Sequence, residues 1–148
     1  MSNIIGSDRP HRMMWEMSLG DLLYSVVERD PQRTFVEISG QQISYRQFLL
    51  GASQVAEMFR KLGIKKGDRV CMLLPNCPEV LYCWFGLSLL GAISVPINTA
   101  YRRDEIATIL NDAEAAALVV HNSYITVAEE AVRLAPSVRL KLGVGCDT

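Results

Sequence analysis

Short apolar runs punctuate the second half of the chain at residues 70–74, 93–97, 117–121 and 138–142. Their centres, Met72, Val95, Val119 and Leu140, are 23, 24 and 21 residues apart. A strand, a crossover helix and two short loops consume about that much chain, so the rhythm predicts successive βαβ units of a parallel sheet. The first three runs are almost wholly apolar, as suits strands covered on both faces. The run at 138–142 alternates apolar and charged residues, which predicts one wet face or a place near a sheet edge.

Helical periodicity fills the intervals. Leu19, Leu22, Leu23, Val26 and Val27 fall on one helix face, with Ser18 and Asp21 as a capping pair and Asp30-Pro31 as the stop. Residues 35–38 and 42–44 flank Ser39-Gly40-Gln41 and read as a small hairpin. Tyr45, Phe48, Leu49, Ala52, Val55, Ala56, Phe59 and Leu62 mark the clearest amphipathic helix. It has a Ser44/Gln47 capping box and Gly63 as its left-handed stop. A helix from Pro78 to Leu90, capped by Asn76 or Cys77, is apolar almost all round and is expected to be buried on most sides. Further helices are expected over 103–112 and 123–134, the latter capped by Asn122 or Ser123 and ended before Pro136. The expected fold class is therefore α/β, a mostly parallel sheet with crossover helices. Residues 1–17 read as an irregular tail in which Met13, Met14 and Trp15 could dock on the body.

Composition narrows the function classes. The 148 residues suffice for one domain or part of one, 49% hydrophobic and 21% charged, with net charge −1. Nothing resembles a basic nucleic-acid face; Lys65, Lys66 and Arg69 read as a solvated turn. Residues 80–97 carry no charge over 18 positions, long enough to span a bilayer. Gly91 and Pro96 interrupt that run, so a buried helix followed by a buried strand is the better reading. No secretory signal opens the chain, and a cytoplasmic location is expected. The cysteines, Cys71, Cys77, Cys83 and Cys146, have neither zinc-site nor redox spacing and read as structural thiols.

Open parallel sheets place their chemistry in loops at the carboxyl ends of the strands. Those loops should be 75–77, 98–102 and 122–123. Arg102 and Arg103 could meet an anionic ligand there, or simply begin a solvated helix. No P-loop, no dinucleotide-binding glycine motif and no nucleophile elbow occurs. Gly143-Val144-Gly145 is a lone Gly-x-Gly and reads as a flexible turn. His11 and His121 lack partners at catalytic or ligand spacing. No catalytic, cofactor-binding or metal-binding residue is assigned.

Several segments, in order, resemble a known family. Residues 62–79 read Leu-Gly-Ile-Lys-Lys-Gly-Asp-Arg-Val-Cys-Met-Leu-Leu-Pro-Asn-Cys-Pro-Glu, and 89–98 read Leu-Leu-Gly-Ala-Ile-Ser-Val-Pro-Ile-Asn. With 43–48, Ile-Ser-Tyr-Arg-Gln-Phe, and 105–110, Glu-Ile-Ala-Thr-Ile-Leu, they resemble the N-terminal part of AMP-forming acyl-CoA synthetases, the adenylate-forming ligases. Asn76-Cys77-Pro78-Glu79 and residues 83–87, Cys-Trp-Phe-Gly-Leu, look closest to the crotonobetaine/carnitine–CoA ligase branch. The resemblance implies a carboxylate substrate, ATP, Mg²⁺ and CoA, with an acyl-adenylate formed first and a thioester second. It makes 18–148 the first part of the AMP-binding domain, truncated before the family's phosphate loop. That loop, the adenine-pocket motif, the ribose-binding aspartate and the C-terminal lysine are not in this sequence. The isolated chain is therefore expected to be inactive and to bind none of these cofactors tightly. The alternatives are a non-catalytic binding or assembly module, or a piece of an adenylating domain that loads a carrier protein. An incomplete sheet should leave an unpaired edge and exposed apolar surface, so self-association is expected.

Overall fold

A computed structural model describes residues 17–38 and 40–145. The expected tail up to Glu16, His11 and Cys146 lie outside the described residues. In chain order the elements are α1 (Leu19–Arg29), β1 (Thr34–Ile38), β2 (Gln41–Ser44), α2 (Tyr45–Lys61), β3 (Arg69–Leu73), α3 (Pro78–Leu90), β4 (Ile93–Pro96), α4 (Arg103–Asp112), β5 (Ala117–His121), α5 (Ile125–Val132) and β6 (Leu140–Val144).

The four later strands form one parallel sheet in the order β4-β3-β5-β6, with Val70 beside Ala117, Arg69 beside Ile93 and Ala117 beside Leu140. The hairpin β1-β2 is separate and antiparallel. This order explains the hydrophobic pattern. Val70–Leu73 and residues 117–120 are buried because β3 and β5 have a neighbour on each side and helices on both faces. β4 and β6 are the edges, and they carry the Ser94, Pro96 and Lys141 that an interior strand would exclude.

The alternation within the strands sorts their side chains into two layers. Val70, Met72, Ala117 and Val119 pack with Phe59, Cys83 and Leu87 from α2 and α3. Cys71, Leu73, Leu118 and Val120 pack with Ile106, Leu110, Ala128 and Ala131 from α4 and α5. A third cluster, Leu23, Phe48, Ala52 and Phe85, joins α1 to α2 and α3 and takes in Phe35 from the hairpin. Phe48 meets Phe85 edge-on at 4.9 Å and stacks on Tyr82 at 5.2 Å.

Local sequence accounts for the element ends. Both expected capping boxes form, Ser18/Asp21 and Ser44/Gln47. Gly63 (φ 83°) and Gly91 (φ 75°) end α2 and α3 in the left-handed conformation. In each case the next N–H reaches back to the last turn, Ile64 to Phe59 and Ala92 to Leu87. α4 ends the same way at Glu114 (φ 44°), with Ala115 bonded to Leu110.

Three expectations need correction. β6 lies at 140–144 rather than 138–142, because a turn closed by Val138 N–H on Ala135 carries the chain past Val138 first. The helix between β5 and β6 is Ile125–Val132, not 123–134. A 3-10 turn, Asn122–Tyr124, precedes it, and His121 rather than Asn122 or Ser123 caps that turn by accepting from Ser123 N–H. Arg69 is no solvated turn residue. It donates to the carbonyls of Ala113 (2.6 Å), Glu114 (3.3 Å) and Gly67 (3.3 Å), and pairs with the Glu114 carboxylate at 2.8 Å. Lys65 and Lys66 are exposed as expected. α3 is buried on the sides facing α1, α2 and the sheet, but Trp84 is 47% exposed.

Candidate functional site at the carboxyl edge of the sheet

The chain leaves β3 towards the α3 face, but leaves β4 and β5 towards the α4/α5 face. Neighbouring loops therefore diverge at the carboxyl ends of β3 and β4, the arrangement that opens a crevice in open α/β sheets. An open groove of about 420 Å³ lies there, lined by Leu74, Pro75, Asn76, Pro96, Asn98 and Thr99 among others. Pro75 and Pro96 stiffen its two walls. The Asn98 side-chain oxygen accepts from Ala100 N–H at 3.0 Å and shapes the loop after β4. Sequence reading passed over Asn98; the Asn two residues before Ala100 was the available signal.

The two arginines of that loop do not converge on the groove's lining. Arg103 Nε pairs with its neighbour Asp104 at 2.8 Å, both side chains being more than half exposed. Its guanidinium is raised above, and the Asp104 carboxyl held below, their ordinary ranges by that bond. Arg102 begins α4, and its N–H donates to the Glu105 carboxylate at 2.9 Å. Their helix-starting role is what the geometry supports.

The third loop is tied to the fourth. Asn122 donates its side-chain amide to the Gly145 carbonyl. Gly145 adopts φ 67°, and a Cβ there would lie 3.1 Å from His121 Nε2. The Gly-x-Gly is thus no free turn: Gly143 lies within β6, and Gly145 just past it packs closely against the His121 ring. No local pattern reveals an Asn122–Gly145 contact, because the residues are 23 apart and meet only through β5–β6 pairing.

The thiols behave as packing groups. Burial pushes the Cys71 thiol up to about 11 and the Cys83 thiol up to about 12. Cys77, half-buried at the start of α3, is also raised, chiefly by desolvation. Among the described residues no three His, Cys, Asp or Glu side chains form a group that could hold a metal ion. No helix among them is long and apolar enough to cross a membrane, and the 80–97 run divides into α3 and β4.

The Asn76 and Asn98 amides and the Thr99 hydroxyl offer hydrogen bonds but no charge to balance a triphosphate. Comparison with known proteins places the scaffold nonetheless. Residues 23–146 match the family described as AMP-binding enzyme. The chain belongs to the AMP-binding enzyme family. It is 37% identical over 125 residues to the crotonobetaine/carnitine–CoA ligase of Proteus mirabilis, covering 82% of this chain and 23% of that protein. Among solved structures, the anthranilate CoA ligase AuaEII in complex with anthranoyl-AMP is similar with TM-score 0.84 and 26% identity, over 89% of this chain and 26% of that one. A fatty acyl CoA synthetase of Mycobacterium tuberculosis matches with TM-score 0.80 and 30% identity, over 86% of this chain and 26% of that one. The chain spans about a quarter of the length of these relatives. The AMP-binding family's expected α/β architecture with a parallel sheet is the one observed.

Proposed function

We propose that this chain forms the first part of the AMP-binding domain of a carboxylate–CoA ligase acting on a small carboxylate of the crotonobetaine or carnitine type. The observation that carries this reading is the 37% identity, sustained over 125 residues, to a crotonobetaine/carnitine–CoA ligase. In the whole protein ATP would activate the carboxylate as an acyl-adenylate with release of pyrophosphate. The CoA thiol would then displace AMP. The setting would be cytoplasmic.

The residues of this segment do not fit the ATP–Mg²⁺ group. The carboxyl-edge groove is lined by apolar, amide and hydroxyl side chains, none of them charged, Arg103 is engaged by Asp104, and no metal-holding cluster stands among the described residues. The 148 residues also contain no Ser/Thr/Gly-rich loop ending in Pro-Lys. We therefore assign the segment a scaffolding role, with residues 18–148 as the initial βα units on which the nucleotide site is completed, and no ligase activity of its own. Pyrophosphate exchange with ATP and crotonobetaine, carnitine or a short fatty acid tests both halves. The isolated chain should give only background. A full-length protein carrying this segment should exchange with the betaine acids. Turnover by the isolated chain would overturn the scaffolding assignment, and a full-length protein inert towards all three acids would overturn the substrate class.

A further inference from the structure

We draw no further inference here: the strongest candidate, the exposed apolar face of α2 where Leu50 and Met58 border an open groove against Tyr82 of α3, carries nothing because nothing in the structure shows what covers it.

Discussion

Glu114 occupies the backbone position that Gly63 and Gly91 hold at the ends of the two preceding helices. A left-handed conformation costs a residue with a side chain about 1–2 kcal/mol. Its carboxylate is held by Arg69, but that ion pair is 79% exposed on the glutamate side, and pairs of that kind contribute about 0–1 kcal/mol. Glu114→Gly should therefore leave stability unchanged or raise it by up to about 1 kcal/mol in urea unfolding. Arg69→Ala should instead lower it by about 1–2 kcal/mol, because the carbonyls of Gly67, Ala113 and Glu114 lose a charged donor together. Glycine stops are legible in sequence. A glutamate stop is not, because what forces Glu114 into that conformation is the reversal into buried β5. A second residue-scale contrast concerns the α2–α3 contact. A Cβ on Gly86 would lie 3.0 Å from the Ala52 carbonyl oxygen and 3.1 Å from Ala56 N, both backbone atoms. Gly86→Ala should cost about 1–3 kcal/mol by forcing the helices apart, read as a fall in the urea midpoint. The buried thiols provide a third. With Cys71 and Cys83 pushed up to about 11 and about 12, a maleimide at pH 8 should modify neither until the chain unfolds, as peptide mapping would show.

At the scale of elements, sequence signals succeed where the determining contacts are local. Ser44 and Gln47 lie three residues apart and satisfy each other's neighbouring N–H groups, so α2 could be placed from its own residues. Ser44→Ala should destabilise the chain by about 1 kcal/mol, measurable as a lower urea midpoint. The apolar pattern puts the start of β6 two residues early, and the reason is tertiary. Arg139 N–H bonds to the Ala116 carbonyl, and its guanidinium reaches the Gly63 carbonyl (3.2 Å) and Asp68 (2.8 Å). Those contacts set where the strand enters the sheet, and none is within 20 residues of Arg139 in sequence. The same contacts create an acid sensitivity. Lys65 N–H donates to the Asp68 carboxylate at 3.0 Å, and with Arg139 it holds that carboxyl below its ordinary range. A folded value below the unfolded one means the bond stabilises fully above the unfolded value, about 3.9, and is lost as pH falls through the lower folded value. Between pH 5 and pH 2.5 the urea midpoint of the wild-type chain should therefore fall further than that of Asp68→Asn.

For the whole molecule, the strand order decides which regions are secure. β3 and β5 are central and buried on both faces, whereas β1-β2 is a separate hairpin and β4 and β6 are edges. Native-state hydrogen exchange should show the slowest amides in 70–73 and 117–120 and the fastest strand amides in 34–44, with opening free energy falling from the centre outward. Uniform protection across all six strands would contradict this layering. The carboxyl-edge groove belongs to the same scale, since its walls come from two loops brought together only by β3–β4 pairing. The chain's own pattern determined the α/β class, the βα rhythm, the capping boxes and the glycine stops, because periodicity and caps act over a few residues and repeat wherever those residues occur. It also carried the family likeness, which resides in the same local turns and buried strands. Only the tertiary structure decided the order β4-β3-β5-β6, the Asn122–Gly145 tie, and the Arg69 and Arg139 struts. Each of these depends on residues distant in sequence becoming neighbours, and an apolar strand fits equally well beside several others until helices, loop lengths and edge residues are packed together.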